Sequence, residues 1–134
     1  PAVLLRKTKQ RGLATTVFEK WQAFEAGLRN ELAKARAAKR RLDPLRYVRP
    51  GGLEEQFLAQ AAAHAARMPQ ILDAERYLDH ERWNFLDELA IGHYFDVDFL
   101  IVYAVKLRIL ERWDRVNAQD KAGQVERLCS VTKD

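Results

Sequence analysis

Apolar residues recur at steps of three, four and seven along most of the chain, which is the spacing of one face of an α-helix. The first such stripe follows a capping box formed by Thr16 and Glu19. Its members are Val17, Trp21, Phe24, Leu28, Leu32, Ala35 and Leu42. Pro44 ends this predicted helix, and residues 1–14 are expected to form a flexible lead-in.

Prolines and glycines divide the next part of the chain. Residues 50–52 are Pro-Gly-Gly and predict a flexible joint, after which a short alanine-rich helix is expected over residues 53–67. Met68 precedes a proline and is therefore disfavoured in helical angles. A third helix is predicted from Pro69, at its first position, to about Ile91, and Gly92 provides the C-terminal signal.

The stretch Phe99–Val105 is apolar on all sides. A helix without a polar face belongs in the middle of a bundle, so this segment is predicted to be the central element. Asp96 or Asp98 is the expected N-cap. Leu107 and Leu110 are expected to lie in the core.

The fourth helix is expected to end near Trp113, and Asn117 to cap a short last helix with Cys129 on its inner face. The predicted fold is therefore all-α, a soluble bundle of four to five helices forming a single domain over residues 1–134. The chain lacks an initiator Met and opens without a capping signal, so it is expected to be the C-terminal portion of a longer protein.

Composition limits the location that can be expected. The longest apolar run has seven residues, far short of the roughly 20 needed to cross a bilayer. A single cysteine excludes an internal disulfide and favours a reducing compartment. A cytoplasmic protein is predicted.

Charge is distributed unevenly although the net charge is only +4. Residues 29–49 contain eight basic and two acidic side chains, whereas residues 73–98 contain eight acidic and two basic ones. Such bipolarity suits helices that attract each other, or a protein that presents two differently charged faces to an assembly.

The sequence contains no catalytic or metal-binding motif that we recognise. His64, His80 and His93 match neither a Glu-x-x-His pair nor His-Glu-x-x-His. Gly51-Gly52 is not followed by the Lys-Ser or Lys-Thr of a phosphate-binding loop. We therefore expect no enzymatic activity, no bound metal and no cofactor.

The best candidate for partner binding is a row of arginines, Arg29, Arg36 and Arg40, on the polar side of the first predicted helix. Such a row can be a solvated helix face, can follow nucleic-acid phosphates, or can contact an acidic protein surface. The aromatic residues lie on the opposite, apolar side of the helix, so no stacking platform for bases is expected beside the charges. An acidic protein surface is the preferred partner.

The third predicted helix carries a charge in its apolar stripe. Arg82 falls within that stripe, and Glu75 and Asp79 precede it by two turns and one turn. A buried or half-buried arginine needs a carboxylate partner, and these two are the expected ones.

Two stretches together resemble a family of poorly characterised bacterial proteins whose genes lie among those for V/A-type ATPase subunits. In the first stretch the residues are Trp21, Phe24, Glu25, Leu28, Arg29, Asn30, Glu31, Leu32, Arg36 and Ala37. In the second they are Glu75, Leu78, Asp79, Arg82, Trp83, Leu86, Asp87, Leu89, His93, Tyr94, Phe95, Asp96, Asp98, Tyr103, Ala104, Lys106, Leu107, Leu110, Glu111, Arg112 and Trp113.

The resemblance implies a non-catalytic protein that stands in for the C-type component of the central stalk, which is the d-type component in eukaryotic V-ATPases. That component joins the rotor shaft to the proteolipid ring, so the implied partners are other ATPase subunits and the implied location is peripheral to the membrane. A small helical nucleic-acid-binding or regulatory module that uses the basic helix is the alternative.

Eight signature residues of this resemblance are candidates for either internal contacts or an interface, and the internal interpretation is preferred. They are Trp21, Glu75, Asp79, Arg82, Trp83, Lys106, Arg112 and Trp113.

Overall fold

The computed structural model describes residues 2–132, with side chains described from Val17 to Thr132. Within these residues the chain forms four α-helices and one short 3-10 helix and contains no strand. The helices are α1 (Ala2–Lys39), α2 (Gln56–Arg67), α3 (Ile71–Ala90) and α4 (Val97–Val131), and the 3-10 helix is Pro44–Tyr47. The predicted all-α bundle is confirmed, with four helices.

The start of α1 and the end of α4 differ most from the sequence-based prediction. Helix α1 begins at Ala2, so Thr16 lies inside it and does not cap it. The predicted flexible lead-in falls on residues whose side chains lie outside the described part and stays a prediction. Helix α4 continues through Asn117 and Gly123 to Val131, so the separate last helix is absent from the described residues.

The break between α2 and α3 lies where the sequence predicts it, but the first residue of α3 differs from the prediction. Met68 has extended backbone angles, as expected before a proline. The N-cap of α3 is Gln70, so Pro69 precedes the helix and does not open it. Gly92 follows the end of α3 with a positive φ of 81°, which confirms it as the C-terminal signal.

The predicted joint at residues 50–52 is held against α1. Asn30 donates from Nδ2 to the Arg49 carbonyl oxygen at 2.8 Å and accepts from the Arg49 amide at 2.9 Å. The Leu53 amide donates to the Ala23 carbonyl oxygen at 2.8 Å. A Cβ added to Gly27 would lie 2.3 Å from the Leu53 carbonyl oxygen, so only glycine permits this close crossing.

The core consists of two adjoining clusters. The first contains Phe24, Leu28, Leu58, Ala65 and Leu78, and the second contains Val17, Leu86, Val102 and Ile109. Helices α1 and α3 contribute to both clusters, α2 only to the first and α4 only to the second. Trp21 packs against both clusters, and Trp83 packs against the second.

Helix α4 is therefore a flanking helix, and the prediction that it is central is wrong. Its fully buried residues are Val102 and Ile109. Leu107 and Leu110, expected in the core, are 42% and 54% exposed. Cys129 is exposed as well, because the last part of α4 extends beyond the two core clusters.

Candidate functional site

A buried carboxylate joins α3 to α4. Asp79 accepts hydrogen bonds from Arg82 Nη1 at 2.7 Å and from Trp113 Nε1 at 2.8 Å. Arg112 Nη2 donates to the same carboxylate. Three donors, two of them cationic, satisfy the acceptor capacity of this buried carboxylate.

Arg82 extends this arrangement to α1. Its Nε donates to Glu25 Oε1 at 2.7 Å. Burial lowers the pKa of Arg82, but the charge of Glu25 and the hydrogen bonds to Glu25 and Asp79 outweigh it, so the pKa is raised. We call Glu25, Asp79, Arg82, Arg112 and Trp113 the Asp79 cluster; it fastens three helices together.

The partners of Arg82 were predicted in part. Asp79 is confirmed as one of them, whereas Glu75 is not among its ion pairs. Glu75 precedes Arg82 by seven residues, which corresponds to about 10 Å along a helix. Glu25 comes instead from 57 positions earlier in the chain, and helical spacing gives no signal for such a pair.

Two further signature residues, Trp83 and Lys106, also make contacts between helices. Lys106 of α4 pairs with Asp87 of α3 and lies 4.8 Å from the centre of the Trp83 ring. The guanidinium of Arg76 lies 5.2 Å from the centre of the Trp113 ring. Both are cation–π contacts. Seven of the eight signature residues therefore hold helices together, and Glu75 is the exception.

The basic row on α1 divides between two surfaces. Arg29 is 78% exposed on its side chain and lies 3.8 Å from Glu25. Arg36 and Arg40 line a groove of about 540 Å³ between α1, α2 and the start of α3. We call this the basic groove. Its other lining residues include Leu32, Lys39, Ala65, Met68, Ile71, Ala74, Glu75 and Leu78.

An exposed apolar surface, which sequence analysis missed, lies at the other end of α3. Tyr94 and Phe95 form the tip of the connection to α4, and Phe95 is 93% exposed with a positive φ of 55°. A bulky side chain in this backbone region is unusual and costs conformational energy, although Arg41, just after α1, has a similar φ of 56°. We call these two residues the aromatic tip.

The exposed surface continues from the aromatic tip along α4. Leu100, Tyr103, Leu107 and Leu110 follow one another at steps of three and four and are all exposed. We call these four residues the apolar stripe of α4. Its spacing is that of a helix face that packs against another helix. The apolar run Phe99–Val105 predicts a segment buried on all sides, whereas the structure leaves Leu100 and Tyr103 exposed.

The start of α4 brings three possible metal ligands together. His93 Nδ1 lies 2.8 Å from Asp96 Oδ2 and 3.5 Å from Asp98 Oδ2. Asp96 also accepts from the Phe99 amide at 2.8 Å, which confirms it as the N-cap. These hydrogen bonds lower the pKa of Asp96. The capping role accounts for Asp96 and its contact with His93, and the expectation of no bound metal stays a prediction.

Residues 55–130 match the model of a family described as "Protein of unknown function (DUF2764)". This segment includes α2, α3 and nearly all of α4, and with them the Asp79 cluster apart from Glu25. No curated protein and no solved structure matches the chain. Among the described residues, no helix is long and apolar enough to cross a membrane. Since the family model matches more than half of the chain, this protein belongs to the DUF2764 family.

Proposed function

We propose that the chain is a non-catalytic adaptor of a V/A-type rotary ATPase, a counterpart of the C-type stalk component between the rotor shaft and the proteolipid ring. The observation that supports an adaptor is the presence of two surfaces of different chemistry at the two ends of α3. The basic groove lies at Ile71, where α3 begins, and the aromatic tip follows Ala90, where it ends. A 20-residue helix is about 30 Å long, so the two surfaces are far enough apart for two partners.

The basic groove suits an acidic protein helix. Three basic residues, Arg36, Lys39 and Arg40, line it with one acid, Glu75, and Leu32 and Leu78 contribute apolar lining. A groove that combines apolar lining with an excess of positive charge complements an amphipathic helix that carries acids beside its apolar face. No aromatic side chain is among the described residues that line this groove, so it offers no platform on which bases could stack. This favours the protein partner over the nucleic-acid alternative.

The surface at the other end of α3, formed by the aromatic tip and the apolar stripe of α4, suits a basic partner. Residues 83–105 contain four acids and no Lys or Arg. The aromatic tip and the first half of the apolar stripe of α4, Leu100 and Tyr103, lie within this segment, whereas Leu107 and Leu110 follow it beside Lys106 and Arg108. A partner helix with an apolar stripe and basic flanks would cover the stripe and complement the acids.

The region between the two surfaces is suited to carrying force. The Asp79 cluster links α1, α3 and α4 through charged hydrogen bonds, which are shorter and stronger than neutral ones. In the proposed role the protein passes load between its two partners and lies peripheral to the membrane through the complex.

The test is capture of V/A-type ATPase, solubilised from membranes of the source organism, by the immobilised protein. One variant carries Arg29→Glu, Arg36→Glu and Arg40→Glu. Its control carries Lys20→Glu, Lys121→Glu and Arg127→Glu, the same charge change at exposed positions elsewhere. We expect the first variant to bind about tenfold more weakly and the control to bind as the unmodified protein does.

A second pair of variants tests the other surface. Leu100→Ser with Leu107→Ser should also weaken capture, whereas Val125→Ser with Leu128→Ser, also at exposed apolar positions of the same helix, should not. Equal capture by all variants would contradict the proposal. Absence of ATPase capture, together with tight and salt-dependent binding of DNA or RNA by the unmodified protein, would support the nucleic-acid alternative.

A further inference from the structure

A second cleft, of about 600 Å³, opens between α1 and α4. Five arginines line it, together with two acids. The arginines are Arg29, Arg82, Arg108, Arg112 and Arg115, and the acids are Glu25 and Glu111. We call it the arginine cleft. Its volume lies in the range of about 300–1,000 Å³ that is usual for small-molecule sites.

The arginines differ in whether they already have partners. Arg82 and Arg112 bind Asp79 within the Asp79 cluster. Arg108 and Arg115, in contrast, form no ion pair with any carboxylate among the described residues. Two guanidinium groups thus remain available to an anion.

Helix geometry places the arginines of α4 in one row. Residues 108, 112 and 115 are spaced by four and three, so their side chains follow one another on one face. Glu111 lies on the same face, three residues after Arg108 and four before Arg115, and offsets part of the repulsion among the three arginines. The positive charges still exceed the negative one, so an anion bound between Arg108 and Arg115 would reduce the remaining repulsion. Arginine suits phosphate in particular, because its planar fork can donate two parallel hydrogen bonds.

The lining of the cleft also includes aromatic and aliphatic side chains. Phe18 is exposed and Trp21 half-buried, and both line the cleft with Val105 and Ile109. The prediction that no aromatic residue lies beside the basic row therefore holds for Arg36 and Arg40 but not for Arg29. A cleft lined by both apolar side chains and arginines can receive a planar ring together with its charged group.

We propose that the arginine cleft binds a small organic phosphate of the nucleoside diphosphate class. Arg108 and Arg115 hold the phosphates, and Phe18 with Trp21 receives the base. The proposal does not depend on the ATPase role, because the cleft is separate from the basic groove and from the apolar stripe of α4.

The test is isothermal titration of the protein with ADP, pyrophosphate and adenosine. ADP should bind, pyrophosphate should bind more weakly and adenosine should not bind detectably. Arg108→Gln with Arg115→Gln should weaken ADP binding at least tenfold. The control, Arg36→Gln with Arg40→Gln, removes the same charge from the basic groove and should leave ADP binding unchanged.

NMR spectra during the ADP titration locate the bound ligand. Signals from Phe18, the Trp21 indole and Arg108 should shift, whereas those from Arg36 and Arg40 should not. No ADP binding at millimolar concentration, equal binding by the two double variants, or shifts confined to the basic groove would each overturn the proposal. Melting temperatures of both variants should be no lower than that of the unmodified protein, which separates a lost site from a lost fold.

Discussion

The two sides of α4 have similar apolar residues but different surroundings. On one side Val102 and Ile109 are buried against Val17 of α1 and Leu86 of α3. On the other side the apolar stripe of α4 faces outward, uncovered by the described residues. Hydrophobic periodicity measures how apolar a face is, and it does not say whether the face is buried within the same chain.

The residues at the ends of the two sides of α4 distinguish the buried side from the exposed side better than hydrophobic periodicity does. The buried side of α4 ends at Arg112 and Trp113, which donate to the carboxylate of Asp79. The exposed side begins at a tip where Phe95 adopts a positive φ while its ring remains in solvent. The exposed side therefore begins with an aromatic ring that no described residue covers, whereas the buried side ends in satisfied hydrogen bonds.

Loss of the Asp79 carboxylate should have the largest effect on stability. Asp79→Ala leaves the half-buried Arg82 without one partner and Trp113 Nε1 without its acceptor. Removing one member of a buried ion pair costs about 3–5 kcal/mol of unfolding free energy. Urea unfolding followed by circular dichroism measures this quantity.

The matched control for this substitution is Asp87→Ala. It also removes a carboxylate of α3 that pairs with α4, but Asp87 is exposed. Exposed pairs contribute at most about 1 kcal/mol, so the two losses should differ several-fold. Equal losses would mean that the Asp79 cluster does not fasten the buried side of α4.

A pair of substitutions compares the two sides of α4 directly. Ile109→Ala should cost about 2–5 kcal/mol, because truncation of a buried aliphatic side chain leaves a cavity. Leu107→Ala should cost less than about 1 kcal/mol, since the side chain is exposed and alanine favours helix. Chemical denaturation of both variants under one set of conditions gives the comparison.

The reverse order of these two values would restore the sequence-based interpretation, in which Leu107 belongs to the core. It would also remove the apolar stripe as a binding surface. A small loss at both positions would indicate instead that α4 packs only weakly on the bundle.

Sequence analysis predicted the helical class and most breaks between helices, because Pro and Gly act through local backbone geometry. Met68 before Pro69, and Gly92, lie where a helix ends. The prediction for Pro44 is wrong, because α1 already ends at Lys39 and Pro44 opens the 3-10 helix. Asn117 gave a false signal: a residue favoured at caps also occurs inside helices when its side chain faces solvent.

The candidate site was less predictable, since it depends on contacts between distant parts of the chain. Arg82 was recognised as a residue that needs a partner, but Glu25 belongs to another helix. Arg29 and Arg36 are two turns apart on one face, yet they line different depressions because α4 flanks the first and α2 with α3 the second. Helical spacing places a side chain on its own helix and carries no information about the neighbouring ones.

The smallest predicted effect concerns Asp96, which caps α4 where the exposed side begins. The amide of Phe99 and the ring of His93 hold the pKa of Asp96 below its ordinary value of 3.8. A carboxyl group with a lower pKa in the folded state binds fewer protons there than in the unfolded state. Its contribution to stability is therefore present above pH 3.8 and lost as the pH falls below that value.

Asp96→Asn isolates this contribution, because asparagine can still cap the helix but does not titrate in this range. We expect the unmodified protein to melt at a slightly higher temperature than the variant near neutral pH, and the difference to shrink as the solution is acidified below pH 3.8. Melting curves recorded from about pH 7 to about pH 2 by circular dichroism measure the difference. A difference that stays constant over this range would show that the cap acts through geometry alone, without help from the charge of Asp96.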